Sequence, residues 1–91
     1  MSDHIILHLY ITSGTPHSEQ ALQLLRNALT GRPKHRYCLD IVDLRNEPMR
    51  ALQDGIVAVP TLQLSSGSFR ARLVGDLSQA KLLENFLVSL Q

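Results

Sequence analysis

Ile5-Ile6-Leu7-His8-Leu9-Tyr10-Ile11-Thr12-Ser13-Gly14-Thr15-Pro16-His17-Ser18, answered much later by Val59-Pro60-Thr61, decides the fold of this chain. Positions 5, 7, 9 and 11 are apolar and alternate with 6, 8 and 10, the period of two that a strand requires. The second face is partly apolar too, which suits a central strand covered on both sides. Thr15 then stands as an N-cap and Pro16 as the first helical residue, where its missing N–H is no loss. Ala21, Leu24, Leu25 and Ala28 follow at helical spacing and predict a helix to about residue 30, ended by Gly31 and Pro33.

Outward from that core unit, residues 37–44 are rich in Ile, Val, Leu and Tyr and predict a second strand, parallel to the first across a right-handed helical crossover. Asn46 is placed to cap a short helix through Pro48, Met49, Ala51 and Leu52, stopped at Gly55. Residues 57–64 predict a third strand, and Ser65-Ser66-Gly67-Ser68 is turn chemistry. Phe69, Ala71 and Leu73 alternate with Arg70 and Arg72, giving a fourth strand with one wet face, antiparallel to the third. Gly75 ends it. Asp76 with Gln79 forms a capping box for a last helix whose buried face is Leu83, Phe86, Leu87 and Leu90. The order is βαβαββα, an α/β domain with a four-stranded mixed sheet and helices on both faces, residues 1–91 forming one unit.

With 91 residues and a net charge of +1, nothing points to nucleic acid or an anionic membrane. The apolar run 5–9 is interrupted by His8 and too short for a signal sequence or a membrane span, so a soluble cytoplasmic protein is expected. One cysteine forms no internal disulfide.

A strand, a turn with proline that opens a helix, and a distant Val-Pro-Thr outline a thioredoxin-type domain. Active thioredoxins carry C-x-x-C in that turn; here the places hold Thr15 and Ser18. A hydroxyl cannot stand in for a low-pKa thiolate, so dithiol exchange is excluded and binding rather than catalysis is expected. The two hydroxyls are read as caps of the first helix. The thioredoxin resemblance also implies a cis peptide before Pro60.

A closer resemblance lies in four segments. Leu9-Tyr10-Ile11 with Thr15-Pro16 and Ser18, then Ala21-Leu22, resembles the opening of KaiB, the small circadian clock protein family of cyanobacteria. Tyr37-x-Leu39-x-Ile41-Val42-Asp43 with Pro48, Ile56-x-Ala58-x-Pro60-Thr61-Leu62, and Gly75-Asp76-Leu77-Ser78 follow in the family's order. Clock members carry a proline run at positions 65–68, are basic where Asp40 stands, and have lysine at Gly55, which implies an altered partner surface.

The resemblance implies a non-catalytic regulator that binds a KaiC-like hexameric ATPase, in a clock or in clock-derived, stress-type signalling. It also implies two folds: a thioredoxin-like monomer that binds, and a resting homotetramer with a βαββααβ order. Local preference at 57–74 and 76–90 favours the thioredoxin-like one. The partner surface implied is the second-strand edge with part of the first helix: Asp40, Val42, Arg45 and Gln20, with Arg72 on the fourth strand. Thr15, Pro16, Ser18, Pro60, Gly75 and Asp76 are its structural motif residues. No catalytic residue, metal or cofactor is expected. Two alternatives stay open: a stand-alone module competing with a KaiB-like histidine-kinase input domain, and a thiol enzyme using Cys38.

The remaining polar residues carry less. Cys38 is expected to be a small core residue. His4 and His8 share a strand face but lie two pleats, about 13 Å, apart, too far to share a zinc ion, and His17 and His35 complete no metal motif. Arg32, Lys34, His35 and Arg36 form a solvated basic turn. Asp43 has no role assignable from spacing.

Overall fold

The computed structural model describes residues 4–75, 77–78 and 80–88. Along the chain run β1 (Ile5–Ile11), α1 (Pro16–Leu29), a single 3₁₀ turn (Lys34–Arg36), β2 (Tyr37–Asp43), α2 (Met49–Gln53), β3 (Thr61–Ser66), β4 (Phe69–Val74) and α3 (Ala80–Phe86). The strands form one mixed sheet in the order β2-β1-β3-β4. β1 lies parallel to β2 and antiparallel to β3, and β3 pairs with β4 as a hairpin. The βαβαββα order and the central place of β1 follow the sequence pattern.

Alternation decides which face each strand residue serves. Ile5, Leu7, Leu9 and Ile11 join Leu62 and Leu64 of β3, Ala21, Leu25 and Leu29 of α1, and Leu83 and Leu87 at α3 in one buried cluster. Cutting one of these leucines to alanine costs about 2–5 kcal/mol, because a close-packed interior collapses only partly around the cavity. Among the described residues the opposite face is covered only by α2, and α2 is five residues long. At 1.5 Å per residue it spans about 7.5 Å, far less than the roughly 20 Å of the strands beneath it. Tyr10 and Val42 are wholly buried at that end, while Ile6 at the other end of β1 is 38% exposed. The two-sided cover expected for β1 therefore holds only for its C-terminal half.

Several boundaries differ from the sequence expectation. Asn46 does not cap α2: its amide donates to the Asp43 carbonyl in a turn, and Pro48 precedes the helix. β3 starts at Thr61 and not at 57, and Val57 is 96% exposed. Pro60 has no N–H to give a ladder, so pairing begins after it; the Val59–Pro60 peptide is cis. Phe69 is 59% exposed, so the dry side of β4 reduces to half-buried Ala71 and Leu73. Cys38 is exposed and not a core residue: it stands beside Ile6 on the half of the face α2 does not reach. Gly75, at φ 121°, turns the chain out of β4 and donates its N–H to the Pro60 carbonyl. The capping box at Asp76 and Gln79, and Leu90, lie outside the described residues. Among the described residues no helix is long and apolar enough to cross a membrane.

Candidate functional site

Register builds the open face of the sheet in transverse rows. His8 of β1 stands opposite Asp40 of β2 on one side and Gln63 of β3 on the other, and Gln63 stands opposite Arg72 of β4. One row of polar side chains thus crosses the whole sheet. α2 closes its end through a short helical pair: Arg50 and Asp54 lie four residues apart, on one side of the helix, and bond at 3.3 Å. Arg50 also reaches Glu47 at 3.2 Å and Asp40 at 3.9 Å. Tyr10 donates its hydroxyl to Asp54 at 2.7 Å. Arg72 holds Gln63 at 2.8 Å, the Gly55 carbonyl at 2.9 Å and the Asp54 carbonyl as well.

Burial pushes the Tyr10 phenol up to about 12, and its bond to the Asp54 carboxylate adds to the effect. That same bond, then Arg50, holds the Asp54 carboxyl below its ordinary range. His8 points Nε2 at Asp40 across 3.5 Å and stacks against the Tyr10 ring at 6.0 Å.

The β1–α1 loop, which holds Thr15 and leads to Ser18, is a closed knot of hydrogen bonds. Thr15 has the extended backbone of an N-cap, yet its hydroxyl donates backward to the Thr12 carbonyl at 2.8 Å and caps nothing. Ser18, wholly buried, accepts the Thr12 amide at 3.0 Å. The expectation that both hydroxyls satisfy the free N–H groups of α1 is thus corrected: they shape the loop before it. Glu19, not Thr15, reaches back, accepting the Gly14 amide at 3.1 Å from the first helical turn, where a negative charge suits the helix dipole. Pro16 is the first residue of α1.

Asp43 acquires a role that spacing did not show. Its carboxylate accepts the amides of Ser13 and Arg45 at 3.2 and 3.1 Å, joining the β1–α1 loop to the turn after β2. The Ser13 side chain and the Arg45 amide, in that order, hold its carboxyl below the ordinary range. Arg45 completes the junction, donating Nε to the Ser13 carbonyl at 2.5 Å.

The five partner candidates do not form one patch. Asp40 and Arg72 share the open face but sit on opposite edges of the sheet, three strands apart. Val42 is wholly buried, so it can meet a partner only through its main chain. Arg45 is exposed at the end of β2 with its guanidinium on Ser13, and Gln20 is exposed on α1. Cys38 has Ile6 across the ladder, while His8 faces Asp40, so among the described residues no base is paired with the thiol. Among the described residues no three His, Cys, Asp or Glu side chains gather as a metal site. Tyr10, Asp54, Arg50 and His8 were missed as a group; the visible clue was Arg50 and Asp54 at helical spacing on a segment facing the second side of β1.

A family model described as the KaiB domain matches residues 8–88. The circadian clock oscillator protein KaiB of Synechococcus sp. (strain CC9311) is 41% identical over 73 residues, covering 80% of this chain and 61% of that one. Its counterpart in Parasynechococcus marenigrum (strain WH8102) is 40% identical over 73 residues, covering 80% and 70%. The chain thus matches less than two thirds of the length of the first of these relatives. Among solved structures, the N-terminal domain of SasA from Synechococcus elongatus superposes with a TM-score of 0.74 at 18% identity, covering 100% of this chain and 89% of that one. The germline thioredoxin Deadhead of Drosophila melanogaster gives 0.79 at 12%, covering 98% and 83%. Likeness at such identities is likeness of fold, and the fold is thioredoxin-like.

Proposed function

The chain belongs to the KaiB family, and from that premise we propose that it is a non-catalytic regulatory binding protein whose thioredoxin-like form docks on a KaiC-like hexameric ATPase. The setting is circadian or clock-derived signalling. The observation that carries the reading is the β2 edge. Among the described residues β2 pairs with β1 alone, so one side of its backbone is open to a partner, and the exposed Asp40 with the Arg45 junction flanks it. The Thr15–Ser18 loop supports it too, because hydroxyls locked onto Thr12 are shaped for rigidity and not for bond exchange. Binding follows the population of the competent fold: a partner that takes only the thioredoxin-like form draws the chain out of any resting homotetramer.

Affinity capture from the native lysate, with ATP or ADP supplied, tests this. Recovery of a KaiC-like ATPase in one nucleotide condition is expected. Failure to recover one from a lysate shown to contain it overturns the reading.

The likeness to the SasA N-terminal domain favours a second reading, in which this chain competes with a KaiB-like histidine-kinase input domain for one ATPase. Mutual displacement of the two proteins from the ATPase would support it; simultaneous binding would sink it.

A further inference from the structure

The half of the sheet face that α2 leaves open is hollowed into a cavity of about 380 Å³. Two adjacent rows floor it: Arg70, Ser65 and Ile6 on β4, β3 and β1, and beside them Arg72, Gln63 and His8. Most of the charge around it is already committed. Arg72 is held on Gln63 and the end of α2, while Arg50 and Asp54 neutralise each other at the wall.

Three polar groups remain uncommitted. The Arg70 guanidinium touches only the Gly67 and Phe69 carbonyls of its own hairpin, at 3.3 and 3.5 Å, and has no carboxylate partner among the described residues. The Ser65 hydroxyl lines the cavity on a residue 9% exposed and has no partner among the described residues. Nδ1 of His8 is buried and, among the described residues, is the buried side-chain polar atom without a hydrogen-bond partner. A buried polar atom left unpaired is costly, and a ligand that pairs it recovers that cost.

We propose that this cavity binds the phosphoryl group of a small phosphorylated molecule. Arg70 supplies an uncompensated positive charge in a fork that matches phosphate oxygens. Ser65 supplies a hydroxyl from the next strand, and His8 an imidazole nitrogen from the one beyond. Tetrahedral oxygens can meet groups arriving from three strands, where a planar carboxylate presents two oxygens in one plane. The cavity volume lies within the range of small-ligand sites. No β2 residue lines this cavity, although Asp40 of that edge faces His8, and failure of ATPase docking would leave the site standing.

The test is an amide and imidazole nitrogen NMR titration of the full chain with inorganic phosphate, at ionic strength held constant with sodium chloride. Saturable shifts centred on Ile6, His8, Ser65 and Arg70 are expected, with His8 Nδ1 moving. Arg70→Gln should weaken binding about tenfold, Ser65→Ala less, and Lys34→Gln on the exposed basic turn not at all. Spectra of the variants that overlay the wild type away from the cavity exclude misfolding as the cause. Linear shifts that track residues 32–36, equal weakening by Arg70→Gln and Lys34→Gln, or an equal response to acetate would each overturn the proposal.

Discussion

The Tyr10 hydroxyl lies 2.7 Å from the Asp54 carboxylate, joining the central strand to α2 across 44 positions of sequence. Burial first and this bond second raise the phenol, and the same bond lowers the carboxyl: the neutral phenol and the ionised carboxyl are the forms the fold keeps.

Tyr10→Phe removes that bond and leaves Asp54 on Arg50 alone, at an expected cost of about 1–2 kcal/mol. The pH dependence is the sharper readout. The phenol titrates at 10.0 when unfolded and near 12 when folded, so its share of stability is complete below pH 10.0 and disappears as pH rises to about 12. Chemical denaturation at alkaline pH should show a shallower loss in Tyr10→Phe than in the wild type. Parallel curves would remove Tyr10 from the account.

At the acid end the sign reverses. Asp43 and Asp54 both titrate below 3.8 in the folded chain, so their contribution is present above that value and is lost as pH falls through the lowered range. Asp43→Ala should lower the thermal midpoint at neutral pH and narrow the gap between neutral and acid midpoints. Hydrogen exchange at the Ser13 and Arg45 amides should quicken in the same variant, since both lose their acceptor.

Ser18 and Thr15 invite a paired comparison. Ser18→Ala leaves the Thr12 amide without its acceptor inside the fold and should cost about 1–3 kcal/mol. Thr15→Ala deletes a donor to a carbonyl that also receives the Thr15 amide, and should cost less than about 1 kcal/mol. The reverse ranking in thermal melts would restore Thr15 as the principal cap of α1.

Cys38 is an exposed thiol on an edge strand. It should react with one equivalent of a thiol reagent without denaturant, and Cys38→Ser should stay within about 0.5 kcal/mol of the wild type. A disulfide-reducing activity present in the wild type and lost in Cys38→Ser would revive the thiol-enzyme alternative.

Short-period patterns were legible. Ile5 to Ile11 alternates, α1 repeats its leucines, and the Arg70–Arg72 alternation marks β4, so the sheet and its helices could be drawn from local spacing. The misplaced features depend on how far cover extends. Cys38 reads as core because its neighbours are apolar, but α2 ends before reaching it. Val57 and Val59 read as strand because the proline that postpones pairing follows them. The polar cluster was illegible for a different reason: Tyr10 and Asp54 share no spacing, and only the parallel register of β1 on β2 brings His8 to Asp40. Asp43 falls where two loops meet, which no single segment encodes.

Arg72 gathers the Asp54 and Gly55 carbonyls that follow α2, and Gly75 of the same hairpin reaches Pro60. Residues 54–60 are therefore pinned at both ends by the part of the chain that comes after them. A transplant of the N-terminal half, cut after the α2 turn, would carry the helix with its Tyr10 and Asp40 contacts but without its Arg72 fastening. Insertions between α2 and β3 would have to keep step with β4. A graft that keeps every one of these contacts has to include β1, β2 and β4 together.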